Sequence, residues 1–347
     1  MIDFRYHLVS IVAVFLALAI GIVLGSTELQ GPVYNLLSRT TSQLHNQLSN
    51  VTSEREAAVQ ELNADNAFIM ATETDYLHGK LAGQRMVIIT QPGAQAAVVN
   101  GITIAAKDAG ATVTGQINLT PRFFDNSSTT AETLSVTNTD LAQNEGIQLD
   151  SSSSSPQEGA AEVLASEILI KPGTSGDIPP ASATQAASAQ SALGSYAAAN
   201  FLTTSGQPAT QATLAVIVTP QTVPADQSAD PLAQDLGPFA QALAKYNGTP
   251  TVVVGSAAGS VAGSPIAVLR GTGAASQVST VDDADSARGQ VAAMLALQNV
   301  LNGGSPGSYG INNGSSYPNI NPTASASASP SPSASQSSSP KPKKSKK

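Results

Sequence analysis

The sequence predicts an α/β protein with three serial parts: an N-terminal transmembrane helix, a coiled-coil stalk helix, and a mostly parallel, doubly wound sheet with helices on both faces. Three observations lead there. Residues Leu8 to Thr27 carry no formal charge. A polar stretch behind them repeats apolar residues at alternating three- and four-residue spacings. Beyond it, short continuous apolar runs alternate with helical patterns, as strands buried on both faces do.

The apolar run comes first. Leu8 to Leu24 (LVSIVAVFLALAIGIVL) is almost wholly apolar, and 20 helical residues reach about 30 Å, the thickness of a bilayer hydrocarbon core. Residues 8–27 are therefore read as a membrane span and 1–7 as a cytoplasmic N-terminus. The competing reading is a cleaved signal peptide with Ala17-Leu18-Ala19 as its site, but the run continues past Ala19 to Leu24. Arg5 precedes the span and the next basic residue is Arg39. The positive-inside bias thus puts the N-terminus inside and the body outside the cell membrane, in the envelope. Membrane lipid is the first expected partner.

Gly31-Pro32 reads as a helix break. Over 33–78, Tyr34, Leu37, Leu44, Leu48, Val51, Ala58, Leu62 and Ile69 fall on a and d positions of one heptad frame, interrupted by Thr41, Arg55 and Asp65. This pattern predicts a coiled coil, and with it a parallel homodimer. The alternative is one amphipathic helix packed on its own body. His45 flanks the seam as a surface residue.

The α/β domain spans 84–304. Arg85 to Thr90 (RMVIIT) reads as a strand closed by Gln91-Pro92-Gly93, Ala94 to Ala109 as a helix ended by Gly110, and Thr112 to Leu119 as the next strand: a βαβ unit. Ala212–Thr219, Thr251–Gly255 and Pro265–Leu269 are read as further strands. Pro231–Tyr246 is read as a helix kinked or restarted at Gly237-Pro238, and Ala284–Asn302 as the last helix, stopped by Gly303-Gly304. Residues 120–210 are expected to form a helical and loop insertion, with helices at Ala131–Gln143, Gln157–Ile170 and Ala183–Ala199. Runs this short and uninterrupted do not fit a transmembrane β-barrel, whose strands alternate over about ten positions.

Residues 319–347 form a Ser/Pro/Ala-rich tail ending KPKKSKK, a composition too poor in apolar residues to pack. The terminal Lys cluster suits anionic lipid or an acidic wall polymer, or serves only to solubilise. The chain has 16 Lys+Arg against 24 Asp+Glu, a net charge of −8 that becomes −13 without the five Lys of the last seven residues. So acidic a body is not expected to bind nucleic acid.

Composition also limits chemistry. There is no Cys, and the three His are His7, His45 and His78, so nothing from residue 79 onward can supply an imidazole. Besides the initiator, Met70, Met86 and Met294 are the only thioethers, a poor set for copper(I), which prefers sulfur, or copper(II), which takes imidazole. Ser is abundant, but no G-x-S-x-G elbow and no His base accompany it, so enzymatic activity is not expected. Gly255, Gly259 and Gly263 (GSAAGSVAG) follow a strand, yet match neither the dinucleotide nor the P-loop spacing. Asp282, Asp283 and Asp285 (VDDAD) are the weak metal candidates. They suit a hard cation, or else accept backbone N–H groups where the last helix begins. No cofactor is expected.

Two segments carry a family resemblance. MIDFRYHLVSIVAVFLALAIGIVLGS, followed by a heptad helix, and Ser279–Gly310 (STVDDADSARGQVAAMLALQNVLNGGSPGSYG), together with RMVIITQPG, resemble the copper transporter family of MctB type found in mycobacteria and related actinobacteria. The resemblance covers most of residues 1–310 and leaves out the Lys tail. It implies a role in copper resistance, keeping intracellular copper low, as an envelope or outer-membrane transport component with copper as the transported ion. It supplies no copper ligands that map onto particular residues here. The resulting expectation is a membrane-anchored, exported, non-enzymatic copper transport or homeostasis protein. The alternative is an envelope scaffold or partner-binding protein that neither binds nor conducts copper.

Overall fold

A computed structural model describes residues 4–151, 153, 155–170, 182–220, 231–256, 264–312 and 316–317. The tail from Asn319, Gly259, Gly263 and the stretch 171–181 lie outside the described residues. The chain divides into two units, Met1–Phe68 and Ile69–Lys347.

The first unit is helical throughout its described residues. Helix α1 runs Phe4–Leu77, so the expected break at Gly31-Pro32 does not occur. A proline inside a helix removes one backbone hydrogen bond and strains a turn; it does not forbid the helix from continuing. Tyr6–Gly25 is long and apolar enough to cross a membrane, and none of that window is buried. Farther along, Leu37, Leu44, Leu48, Val51 and Leu62 of the heptad frame are all exposed.

The second unit is built on a seven-stranded sheet. Strand β1 (Arg85–Thr90) is followed by α2 (Ala96–Asp108) and β2 (Thr112–Leu119), as the sequence indicates. Three helices follow, α3 (Ser128–Glu145), α4 (Pro156–Ile168) and α5 (Ala183–Ala198), each within a few residues of its expected span. Then come β3 (Leu202–Gly206), β4 (Leu214–Val218), α6 (Pro231–Gln234), α7 (Leu236–Lys245) and β5 (Thr251–Val254). The chain continues through α8 (Pro265–Arg270), β6 (Ser279–Val281), α9 (Ala287–Leu301) and β7 (Ser308–Tyr309). The sheet order is β3-β2-β1-β4-β5-β6-β7. All pairs are parallel except β2–β3. The sheet is open, with β3 and β7 at its edges.

The central strands feed two separate cores, because successive side chains point to opposite faces. Met86 and Ile88 of β1 join α2 and α9 residues such as Ile102 and Met294. Val87 and Ile89 join Phe123, Leu134, Leu164, Tyr196 and Phe239 from the loop before α3 and from α3, α4, α5 and α7. Each fully buried aliphatic side chain of this kind stabilises the fold by about 1.5–3 kcal/mol.

Four sequence expectations are corrected. Pro265–Leu269 is helix α8, not a strand: Ser264 caps it by accepting a hydrogen bond from Ala267 N, and Pro265 pre-sets the first helical φ. The helix over 231–246 does restart, but the break falls at Asp235, between α6 and α7, and Gly237-Pro238 sit in the first turn of α7, where proline is tolerated. The 120–210 insertion contributes a strand: β3 extends the sheet antiparallel to β2. The sheet also extends past residue 304 to β7. The β2–β3 contact requires glycine at 115, where a Cβ would lie 2.6 Å from Ser205 O and 2.7 Å from Pro208.

Candidate functional site

Strand β6 delivers Asp282 and Asp283 to its carboxyl end, and the fold treats them differently. Asp282 is fully buried. Its Oδ2 is paired with Arg270 Nη1 at 2.5 Å and its Oδ1 accepts Ile311 N at 2.9 Å. Arg270 also donates from Nε to Thr280 Oγ1 at 2.9 Å and from Nη2 to Tyr309 O at 2.8 Å. One guanidinium from α8 thus fastens β6 and β7 together. Asp283 Oδ2 accepts from Arg288 Nε at 3.0 Å and from the Tyr317 hydroxyl at 2.7 Å. Its Oδ1 is buried with no hydrogen-bond partner. The Arg288 guanidinium lies over the Tyr317 ring, 5.5 Å from its centroid. Burial, reinforced by the Asp283 carboxylate, pushes the Tyr317 phenol well above its ordinary range.

Asp285, unlike the other two, is exposed. Ser286 caps α9, its Oγ accepting from Gly289 N at 3.1 Å. Each buried aspartate has an arginine of its own, so the pair's negative charge is already matched inside the protein. Among the described residues, no group of three or more His, Asp or Glu is placed to hold a metal ion. The two thioethers of the sheet domain, Met86 and Met294, are fully buried in the same core.

The carboxyl ends of β1, β4 and β5, where ligands of open α/β sheets commonly bind, carry a second polar group. Gln91 follows β1 and donates from Nε2 to Leu232 O at 2.9 Å, leaving its Oε1 buried without a partner. Gln157 donates to Phe123 O and Asn126 Oδ1, both at 3.0 Å, and its Oε1 is likewise unpartnered. Asp235 Oδ2 and Ser256 Oγ are also buried without a hydrogen-bond partner. Burial raises the Asp235 carboxyl above its ordinary range, against the lowering effect of a hydrogen bond with Asn126. The close approach of β5 to β4 explains Gly255, where a Cβ would meet Thr219 Oγ1 at 2.4 Å. Sequence reasoning missed these residues. Gln91 alone carries a signal, as a polar residue directly after the apolar end of a strand.

A cavity of about 840 Å³ opens on the other end of this face. Its charged lining is Glu145, Asp150, Glu158, Glu162 and Glu167 against Lys245 alone. Glu162 is engaged, accepting Asp150 N at 2.9 Å and the Ser153 hydroxyl at 2.8 Å. No sequence motif marks this cavity, because its carboxylates come from α3, α4 and the loop between them.

Comparison with known proteins covers nearly the whole chain. Residues 1–318 match the family described as copper transport outer membrane protein, MctB; the match stops where the Ser/Pro/Ala tail begins. The copper transporter MctB of Mycobacterium tuberculosis is 30% identical over 320 residues, covering 91% of this chain and 98% of the relative. The copper transporter MctB of Mycobacterium leprae is 29% identical over 318 residues, with the same coverage of each. A match of this extent runs through the apolar helix, the heptad segment and the sheet domain alike, and on it the chain belongs to the MctB copper transport outer membrane protein family.

Proposed function

We propose that this protein is a copper homeostasis component of the cell envelope, held in a membrane by Leu8–Thr27 with its α/β domain outside the cytosol. The observation that carries the reading is the family match through residue 318, supported by an unburied apolar helix at Tyr6–Gly25. Copper is cargo or regulated ion here, and the protein acts without catalysis. The sheet domain offers copper no thiolate and no imidazole, and its thioethers are locked in the core. An open sheet supplies no barrel lumen of its own, so copper passage depends on a partner or on the assembled chain.

The exposed seam of Leu37, Leu44, Leu48, Val51 and Leu62 supports a two-stranded coiled coil with a second copy. Insertion of both N-terminal helices in one membrane makes that pairing parallel. The functional test compares copper content and copper sensitivity of a deletion strain with wild type. Copper accumulation that is reversed by the full chain is expected; identical strains would remove the copper role.

A second reading is favoured by the same burial of Met86 and Met294: the α/β domain is a scaffold that recruits another envelope protein and never touches copper. Gel filtration of the detergent-solubilised full chain after loading with copper separates the two. Tight stoichiometric retention counts against the scaffold. A copper-free chain whose deletion still alters cellular copper supports a recruiting role.

A further inference from the structure

Three helices meet at the acidic cavity through one hydroxyl. Ser188 of α5 places its Oγ 2.7 Å from Glu145 Oε2, at the end of α3, and 2.6 Å from Glu167 Oε2, near the end of α4. A serine hydroxyl has a single hydrogen to donate. It satisfies one of these carboxyl oxygens, and the other contact, at the same short distance, needs a proton of its own. Without it, the second carboxylate oxygen would face a lone pair of the hydroxyl. The two acids are not equivalent: Glu167 is only 7% exposed, whereas Glu145 lies at the surface. Burial penalises the charged form, which assigns the extra proton to Glu167.

We propose that Glu145, Ser188 and Glu167 form a proton-operated clamp: the Glu167 carboxylic acid donates to Ser188, Ser188 donates to Glu145, and release of that one proton to solvent loosens α5 from α3 and α4. The bond broken is the Glu167 O–H, and the cavity gains one negative charge. The surroundings favour the proton-bound form. Burial is the largest influence raising the Glu167 carboxyl above its ordinary value of 4.5; a hydrogen bond donated to its carboxylate by Ser188 opposes this, and the charge of Glu145 adds to it. Glu158 and Glu162 of α4 and Asp150 of the α3–α4 loop add negative charge around the cavity, and Lys245 of α7 is the cation opposite. Tyr246, just after α7, is itself raised by burial and by the Glu167 charge. Because folding raises this pKa, the clamp is fully formed below the ordinary Glu value and is lost as pH rises through the folded value.

The test is hydrogen exchange of the full chain across a pH series, corrected for intrinsic exchange chemistry, with infrared detection of protonated carboxyl. The α5 amides are expected to open measurably more often on the alkaline side of the step than on the acid side. In Glu167→Gln the amide donates to Ser188 at every pH, so the step and its infrared band should vanish, with α5 held at its acid-side protection. A wild-type α5 with no pH step, or a step that persists in Glu167→Gln, overturns the clamp. Should Glu167→Gln fail to fold, Glu145→Gln decides: removing that charge should move the step to lower pH, and an unmoved step overturns the proposal.

Discussion

Replacing Arg270 with methionine keeps much of the side chain's volume and removes the guanidinium that joins α8, β6 and β7. Three hydrogen bonds go at once, to Asp282 Oδ2, Thr280 Oγ1 and Tyr309 O. The Asp282 carboxylate, fully buried, is left with Ile311 N alone. Stranding one member of a buried ion pair costs about 3–5 kcal/mol, and for a domain of this size each kcal/mol corresponds to about 2–4 °C. Arg270→Met should therefore lower the midpoint of thermal unfolding by roughly 6–20 °C. The chain has no Trp, so far-UV circular dichroism of the full chain in detergent is the assay, with urea titration for the free energy. Adding Asp282→Asn to Arg270→Met removes the stranded charge and should recover about 1–2 kcal/mol. A loss below about 1 kcal/mol for the single variant, the range of exposed ion pairs, would refute the assignment of Arg270 as a buried fastener.

Three further outcomes are expected. Ser286→Ala removes the cap of α9 and should cost about 1 kcal/mol in the same urea titration; no change would mean that the Gly289 N–H finds another acceptor. Gly115→Ala drives a Cβ against Ser205 O and should cost about 1–3 kcal/mol, read as faster hydrogen exchange in β3, whereas unchanged β3 protection would contradict the close approach. Leu44→Asp with Leu48→Asp places charge on the heptad seam and should convert the proposed dimer to monomer in sedimentation equilibrium; an intact dimer would exclude that face as the interface.

The parts of the fold legible in the sequence are those whose apolar runs end on strong punctuation. RMVIIT before Gln91-Pro92-Gly93, and ATVTGQINL behind Gly110, could be read directly. So could the final helix, because Gly303 ends it in the left-handed conformation that glycine accepts without cost. PIAVL was misread because a five-residue apolar run fits a buried strand or a buried helix equally well; the decisive clue was Ser264-Pro265 in front of it. Strand β3, LTTSG, has one buried residue and no apolar run to betray it. Strands β6 and β7 are three and two residues long, below the length at which any periodicity shows.

The site was less legible than the fold. Asp282 and Asp283 stood out by their spacing, but their partners depend on how α8 and the segment after β7 return to the sheet, and no local pattern encodes that return. In the Glu145–Ser188–Glu167 contact, Glu145 and Ser188 are 43 residues apart. It exists only once three helices have packed.

The location of the α/β domain outside the cytosol can be measured directly. The chain contains no cysteine, so Asn144→Cys, at an exposed position of α3, gives a single addressable thiol. A membrane-impermeant maleimide added to intact cells should label this variant in the membrane fraction at the mass of the uncleaved chain. Labelling that appears only after the cells are broken would contradict an anchored protein with its α/β domain outside the cytosol.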